Sequence, residues 1–220
     1  MRKVIYGGGC SLDGFLAGKD GALDWLHFSK DVQEVMAKSW ASTDTMLMGR
    51  KTWEGAAGSG GGGAMKGIKS YVFSRTLASV PGKGVELVTT DAGEFVRKLK
   101  AQPGKDIIVM SGGNFATSLL QAGVIDEVGL NVHPVLLGSG VPAFLDPGSR
   151  VNLELTECRQ LDGGCVLVTY RVKSRPSRGP AASPPPATTR RRGSTPGSAR
   201  SASCESRRPT HGLAPRAQPG

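Results

Sequence analysis

"DIIVMSGGNFATSLLQAGVIDEVGLNV", residues 106–132, reads as strand, helix and strand in unbroken succession. The apolar run over 106–110 suits a strand inside a sheet covered on both faces. Gly112 and Gly113 end it, and Asn114 stands as the candidate cap of the helix that follows. Phe115 and Leu119 face inward from that helix, and Gly123 stops it. Val128, Leu130 and Val132 then alternate, as strand residues do. A strand turning through glycines into a helix is the local pattern of an α/β sheet.

The same alternation continues outward. Residues 3–7 form a short first strand, and "TMLM" (45–48), "SYVFS" (70–74) and "VELV" (85–88) read as three more. "SKDVQEVMAKSWA" (29–41) sets Val32, Val35, Met36 and Trp40 on one helical face. Asp91, with Glu94 three residues on, makes a capping box for a helix that turns Phe95, Val96 and Leu99 inward. Downstream the period becomes two: Val151, Leu153 and Leu155, then Val166, Val168, Tyr170 and Val172. Asp162-Gly163-Gly164 between the last two runs predicts an antiparallel hairpin. The expected fold is α/β, a mixed sheet with helices on both faces.

Composition divides the chain into two domains. From Ser174 to Gly220 the only large aliphatic residue is Leu213, and nine of the fourteen prolines lie there. Such a segment buries too little apolar surface to offset its ordering entropy, so residues 174–220 are expected to be a disordered basic tail. Residues 1–173 suffice for one core. The tail holds nine arginines against one acid, Glu205, and so carries +8 of the chain's +10. Any nucleic-acid contact would come through this tail, around Arg190–Arg192, although no aromatic stands there to stack on bases. The four cysteines and three histidines show no metal-ligand spacing. With no signal peptide and no apolar run of membrane length, the expected location is the cytoplasm.

The glycine run "GGG" at 7–9 is neither a dinucleotide fingerprint, since Leu12 stands where a third glycine is needed, nor a P-loop, which needs a lysine. Three other strands, however, end in residues suited to phosphate. These ends are Gly49-Arg50-Lys51-Thr52, Ser74-Arg75-Thr76, and Ser111-Gly112-Gly113-Asn114 at a helix start. If the strands are parallel, all three ends share one edge of the sheet, where open α/β sheets bind ligands. Glycines admit backbone N–H groups to an anion, the helix start favours negative charge, and arginine forks onto phosphate oxygens. Together they point to a polyphosphate ligand, most simply a dinucleotide.

The segments "SLDGFLA" (11–17), "MGRKTWE" (48–54), "VFSRTL" (72–77) and "SGGNFATSLLQAGVIDEVGLNVHPVLLGSGVPAF" (111–144) carry a resemblance. In order and spacing they resemble the dihydrofolate reductase-like family. The branch they most resemble includes the C-terminal reductase domain of the bifunctional riboflavin-biosynthesis deaminase-reductase. The resemblance covers residues 1–173 and implies a mainly parallel mixed sheet closed by an antiparallel hairpin. It also implies NADPH as cofactor. On the matching positions, Gly49, Arg50, Lys51 and Thr52 would contact the cofactor's phosphates, and Ser74 with Arg75 would hold the 2′-phosphate. Gly112 and Gly113 would lie under the pyrophosphate, with Asn114 where many relatives have a third glycine. The first strand's glycines, Gly8 among them, would line the floor beside the nicotinamide.

Asp13, in the turn "SLDG", is implied as the catalytic carboxyl, assisting proton transfer or holding substrate hydroxyls. Its alternative is to shape the turn before Gly14. Asp31 is the nearest counterpart of the first-helix acid of dihydrofolate reductases, or else complements its own helix N-terminus. His133 is expected to pack or end a strand, and Gly138-Ser139-Gly140 to touch substrate or turn the chain. The reaction implied is hydride transfer to a small-molecule substrate, a pyrimidine ribosylamine phosphate. The zinc deaminase signature is absent from the sequence. Two alternatives are dihydrofolate reductase proper and a non-catalytic nucleotide-binding protein with a nucleic-acid-contacting tail. A homodimer through the late strands is a further expectation from the resemblance.

Overall fold

The computed structural model describes residues 1–58 and 65–173. The expected tail over 174–220, and most of the glycine loop over 58–63, lie outside the described residues. Among the described residues there are ten strands and four α-helices, and all the strands but β2 and β8 fall where the sequence places a strand. In chain order these are β1 (Val4–Ser11), β2 (Phe15–Ala17), α1 (Lys30–Ala41), β3 (Thr43–Gly49), α2 (Arg50–Gly58), β4 (Lys69–Phe73) and β5 (Val85–Val88). They continue with α3 (Ala92–Lys100), β6 (Asp106–Val109), α4 (Gly113–Gln121), β7 (Glu127–His133), β8 (Val141–Pro142), β9 (Leu153–Gln160) and β10 (Val166–Val172).

Eight strands form one sheet in the order β5-β4-β3-β6-β1-β7-β10-β9, and β2 pairs with β8 in a separate ribbon. Neighbours from β5 to β7 are parallel, and only β10 runs against its neighbours on both sides. The sheet is therefore mixed and mainly parallel, closed by the β9–β10 hairpin that the alternating residues predict.

Alternation along β3 sorts the helices between the two faces. Leu47 joins a core with α3 and α4 residues Val96, Leu99, Ala116 and Leu119, while Met46 and Met48 pack with Trp53 of α2. Farther along that second face, Val32 of α1 packs on Leu161, Cys165 and Leu167. The largest cluster lies under α3 and α4 and holds Val4, Tyr6, Ile107, Val109 and Leu119 at 1% exposure or less.

Several local expectations are corrected. The first strand runs four residues past Gly7 because its glycines pair with β7, from Gly7 on Gly129 to Ser11 on His133. Asn114 is not the cap of α4: Gly112 occupies that position, and Asn114 lies exposed in the first turn. Half of the capping box forms, with the Glu94 amide donating to Asp91 Oδ1 at 2.8 Å. Met36 is 40% exposed and does not join the buried face of α1.

Candidate active site

All the parallel strands end on one edge, and in the middle of that edge two neighbours part company. β1 pairs with β6 only as far as Tyr6 on Val109, whereas its pairing with β7 continues five residues farther. From Gly7 onward the β6-facing edge of β1 has no strand beside it. This opening lies at a switch point of the chain: β3, β4 and β5 are laid down outward on one side, and β7 on the other. Gly8, in a central strand, is exposed, and a Cβ built on it would meet nothing within 4 Å. It is the candidate floor of a crevice along that free edge.

The phosphate-suited strand ends line up beside this opening. β4, β3, β6 and β1 are consecutive neighbours, so Ser74, Gly49 and Ser111 follow one another toward Gly8 along the edge. At about 4.8 Å per strand the row spans about 14 Å. Gly49 runs straight into α2, whose start carries Arg50, Lys51 and Thr52. The Gly49 amide donates to Ser111 Oγ at 3.3 Å, and a Cβ on Gly49 would come within 2.9 Å of that oxygen. The two strand ends are thus seated against each other. Arg50 makes a loose exposed pair with Glu54 at 3.4 Å.

Ser74 Oγ accepts the amides of Thr76 and Leu77 at 3.2 and 3.1 Å. That turn fixes the oxygen, and the hydroxyl also lies 3.3 Å from Thr76 Oγ1, with which it can share a proton. Arg75 beside it is exposed and has no ion-pair partner among the described residues. Gly113 has a structural duty of its own, since a Cβ there would lie 2.7 Å from the Pro142 carbonyl oxygen. The segment carrying β8 crosses so closely over the start of α4 that no side chain fits. Tyr6 secures the same segment from below, donating from its buried hydroxyl to the Ala143 carbonyl at 2.6 Å. Burial raises the Tyr6 phenol far above its ordinary value.

Asp13 lies just past the end of β1, with its carboxylate already occupied. Oδ1 accepts from Ser11 Oγ at 2.6 Å and the Leu137 amide at 3.2 Å, and Oδ2 accepts the Gly138 amide at 2.7 Å. The Ser11 hydroxyl foremost, then the Gly138 and Leu137 amides, hold its carboxyl below the usual aspartate range. It is an ionised clamp on the loop that carries Gly138-Ser139-Gly140. Asp31 stands apart from the row of strand ends. It bonds the Ser29 hydroxyl, the Val32 amide at 2.8 Å and the Asp162 amide at 2.7 Å. The Ser29 hydroxyl and the Asp162 amide lower its pKa in that order. It serves its helix start and the turn before β10.

His133 is 2% exposed at the end of β7, as the strand-ending expectation has it. Three participants escape sequence reasoning: Ser11, the β2–β8 ribbon, and a strap over residues 22–28 that crosses Gly9 on the α1 face. Ser11 differs in no way from an ordinary turn residue until Asp13 is seen against it. The ribbon strands, of three and two residues, are too short to show a period. No helix among the described residues is long and apolar enough to cross a membrane, and none of their side chains group as a metal site.

Comparison with known proteins agrees with this arrangement. Protein YyaP of Bacillus subtilis, uncharacterised, is 32% identical over 190 residues, covering 77% of this chain and 95% of that one. A solved structure from Shewanella sp. PV-4, named for riboflavin biosynthesis, superposes with a TM-score of 0.70 at 27% identity, covering 78% of this chain and 99% of that one. Dihydrofolate reductase from Enterococcus faecalis, solved with NADP(H), shares the fold at a TM-score of 0.56 and 18% identity, covering 78% and 97% of the two chains. Residues 2–167 match the profile of the RibD C-terminal domain. The chain therefore belongs to the RibD C-terminal domain family, a reductase family built on the dihydrofolate reductase-like fold.

Proposed function

We propose that this protein is an NADPH-dependent reductase that delivers hydride to a small pyrimidine-type substrate of the riboflavin-biosynthesis kind. One observation carries the reading: a row of anion-suited strand ends leads to an unpaired, glycine-floored edge of β1 at the switch point of the sheet. A ligand filling that row would be long, with anionic groups against the strand ends, and a dinucleotide with its nicotinamide ring at the glycine end fits it. Bound NADPH would supply the hydride from its nicotinamide ring.

The residues present fit that cofactor. Ser74 and Arg75 would hold the 2′-phosphate, the hydroxyl donating and the guanidinium forking. Arg50, Lys51 and Thr52 at the start of α2, and Gly112, Gly113 and Asn114 at the start of α4, would take the phosphate bridge with first-turn amides. Gly8 keeps the floor free of a side chain, and the free edge of β1 beside it can bond a carboxamide. Asp13, ionised and committed to Leu137 and Gly138, would act by holding the substrate-side loop and any substrate hydroxyl near it. Its depressed pKa makes it a poor proton donor near neutral pH.

A thermal-shift titration tests the reading. Free NADPH at 100 times its dissociation constant stabilises the fold by about 2.7 kcal/mol. A shift with NADPH much larger than with NADH supports the assignment, and no shift with either cofactor overturns it.

For assembly, the reading is a homodimer through the outer strands. Every residue of β9 is exposed, Leu153 and Leu155 at 42% and 53%. Leu153 also lines an adjoining groove of about 620 Å³ with Leu120, Val128, Phe144 and Val151. Covering such a surface with a second copy removes apolar area from water. Light scattering on the protein and on Leu155→Glu tests this: a dimer that the substitution splits supports it, and a monomer at high concentration overturns it. The residue 1–173 and 174–220 division likewise stands as a proposal, with truncation after Lys173 as its test.

A further inference from the structure

Residues 22–28 connect the ribbon end to α1 and pass over the α1 face of β1 at Gly9. Their own hydrogen bonds are mostly local: Trp25 Nε1 and the Gly18 amide both donate to the Ala22 carbonyl, and the Leu26 amide donates to Leu23. Among the described residues, one hydrogen bond ties this strap's backbone to the main sheet. The His27 amide donates to His133 Nδ1 at 3.3 Å. Packing supplies the rest. The Trp25 ring meets the His133 ring edge-on, with centroids 5.4 Å apart. Leu26 lies where a Gly9 side chain would otherwise be, since a Cβ there would stand 2.6 Å from Leu26 Cδ2 and 3.3 Å from His133 Nε2.

We propose that His133 is a positioning residue for the reaction: a neutral imidazole that pins the strap across Gly9 and so builds the wall against which the substrate ring lies. This rests on the reductase reading for its substrate and on geometry for the pin.

The ring's surroundings determine its tautomer. Nδ1 receives the His27 N–H and has Cys165 Sγ at 3.4 Å, so the proton belongs on Nε2. Nε2 has the Asn131 side-chain amide at 3.1 Å. As placed, Asn131 turns its nitrogen toward Nε2 and leaves Oδ1 buried without a partner. Exchanging the two ends of that amide gives Oδ1 the Nε2–H and turns the NH2 group to the position Oδ1 held. The chain then runs Asn131 C=O, His133 Nε2–H, His133 Nδ1, His27 N–H. Burial first, then the neighbouring His27, keeps the imidazole neutral. The titratable groups facing it are His27 and Cys165, with Asp31 beyond Cys165.

The strap's position gives the pin a purpose. Gly9 follows Gly8 but faces the opposite side of the sheet, so Trp25 and Leu26 flank the free edge of β1 from the α1 face, and a second reactant approaching that edge from this face would lie against them. Leu12, Leu136 and Phe28 add exposed apolar side chains, at 67%, 70% and 55%, on the loops around that end. An apolar wall with few polar contacts suits the face of a flat heterocycle.

The test needs no activity for its first readout. Imidazole ¹⁵N shifts of the unaltered full chain should report His133 protonated at Nε2 only, and the opposite tautomer or a charged ring at neutral pH overturns the proposal. Amide exchange is then compared in His133→Phe, which keeps a ring against Trp25 but no acceptor, and His133→Asn, which returns a carbonyl near Nδ1. The His27 amide should exchange at least tenfold faster in the Phe variant and within threefold of the parent in the Asn variant, with β6 amides unchanged in both. Equal protection in the parent and the Phe variant, or equal loss in both variants, overturns it. In turnover, the Phe variant should raise the substrate KM at least tenfold while the NADPH Kd holds, and a matching loss of NADPH affinity overturns the positioning role. If the unaltered protein binds no NADPH, the reductase reading fails, and the exchange comparison still decides the pin.

Discussion

Gly7 and Gly8 are adjacent in one strand, and adding the same methyl group to each should do opposite things. At Gly7 the new Cβ would lie 2.0 Å from the Gly129 carbonyl oxygen, a backbone atom of β7 that cannot swing aside. β1 and β7 would have to separate in the centre of the sheet, so Gly7→Ala should cost more than about 4 kcal/mol and leave little soluble folded protein. At Gly8 the methyl group meets open space, and the cost is the backbone's φ of +157°, a conformation nearly confined to glycine. That strain is worth about 1–3 kcal/mol, or a fall in Tm of about 2–12 °C for a domain of this size. Gly8→Ala should therefore fold, and its damage should appear in the crevice. A methyl group on the floor that weakens NADPH tenfold reduces the stabilisation at a fixed concentration, 100 times the parent Kd, from about 2.7 to about 1.4 kcal/mol. Differential scanning fluorimetry of both variants, with and without NADPH, reads all of this. A Gly8→Ala protein that keeps the parent's full NADPH shift would refute the placement of the ring over Gly8. A well-folded Gly7→Ala would refute the close approach of β1 to β7.

Arg75→Ala should weaken NADPH about tenfold, the low end for a charge-assisted hydrogen bond because the side chain is exposed, and leave NADH unchanged by isothermal titration. Leu119→Ala empties a fully buried site between α4 and the sheet, and should cost about 2–5 kcal/mol in urea denaturation. Asp13 has a depressed pKa in the folded state, so its clamp contributes stability above the unfolded value of about 3.9 and loses it as pH falls below that. Asp13→Asn should therefore flatten the decline of the urea midpoint between pH 5 and 3, and an unchanged slope would show the clamp to be idle. Tyr6→Phe leaves the Ala143 carbonyl without its buried donor and should cost about 1–3 kcal/mol, with faster exchange of the Ala143 amide.

The sequence discloses most of the sheet and the phosphate row because both depend on local signals. An apolar run followed by Gly-Arg or Gly-Gly announces a strand that ends at a turn, and in a parallel sheet all such ends share an edge. Asp91 is legible as a cap because capping is settled within four residues. The glycine half of β1 is not legible, since glycine has no strand preference of its own and only β7 holds Gly7–Gly9 extended. Asn114 fails as a cap because Gly112 already adopts the extended geometry at the boundary, two residues earlier. The strap is hidden because its anchor, His133, lies 106 residues away. Asp13 shows in the sequence that it is in a turn, but not that the amides it holds belong to residues 137 and 138.

The β2–β8 ribbon has a consequence for the time at which this protein can first work. Phe15 pairs with Pro142, the Gly14 carbonyl receives the Ala143 amide, and Asp13 waits for Gly138. Each of these fastenings joins one of the first chain segments to emerge during synthesis to one that emerges more than 120 residues later, and the His27–His133 contact spans 106. On the ribosome β3, β4 and β5 can pair while β1 still has neither β6 nor β7 beside it. A nascent chain halted before residue 141 would carry the phosphate row with its roof missing. The crevice is thus a late feature, and its closure over β1 marks that the six parallel strands are in place, with only the β9–β10 hairpin still to be added.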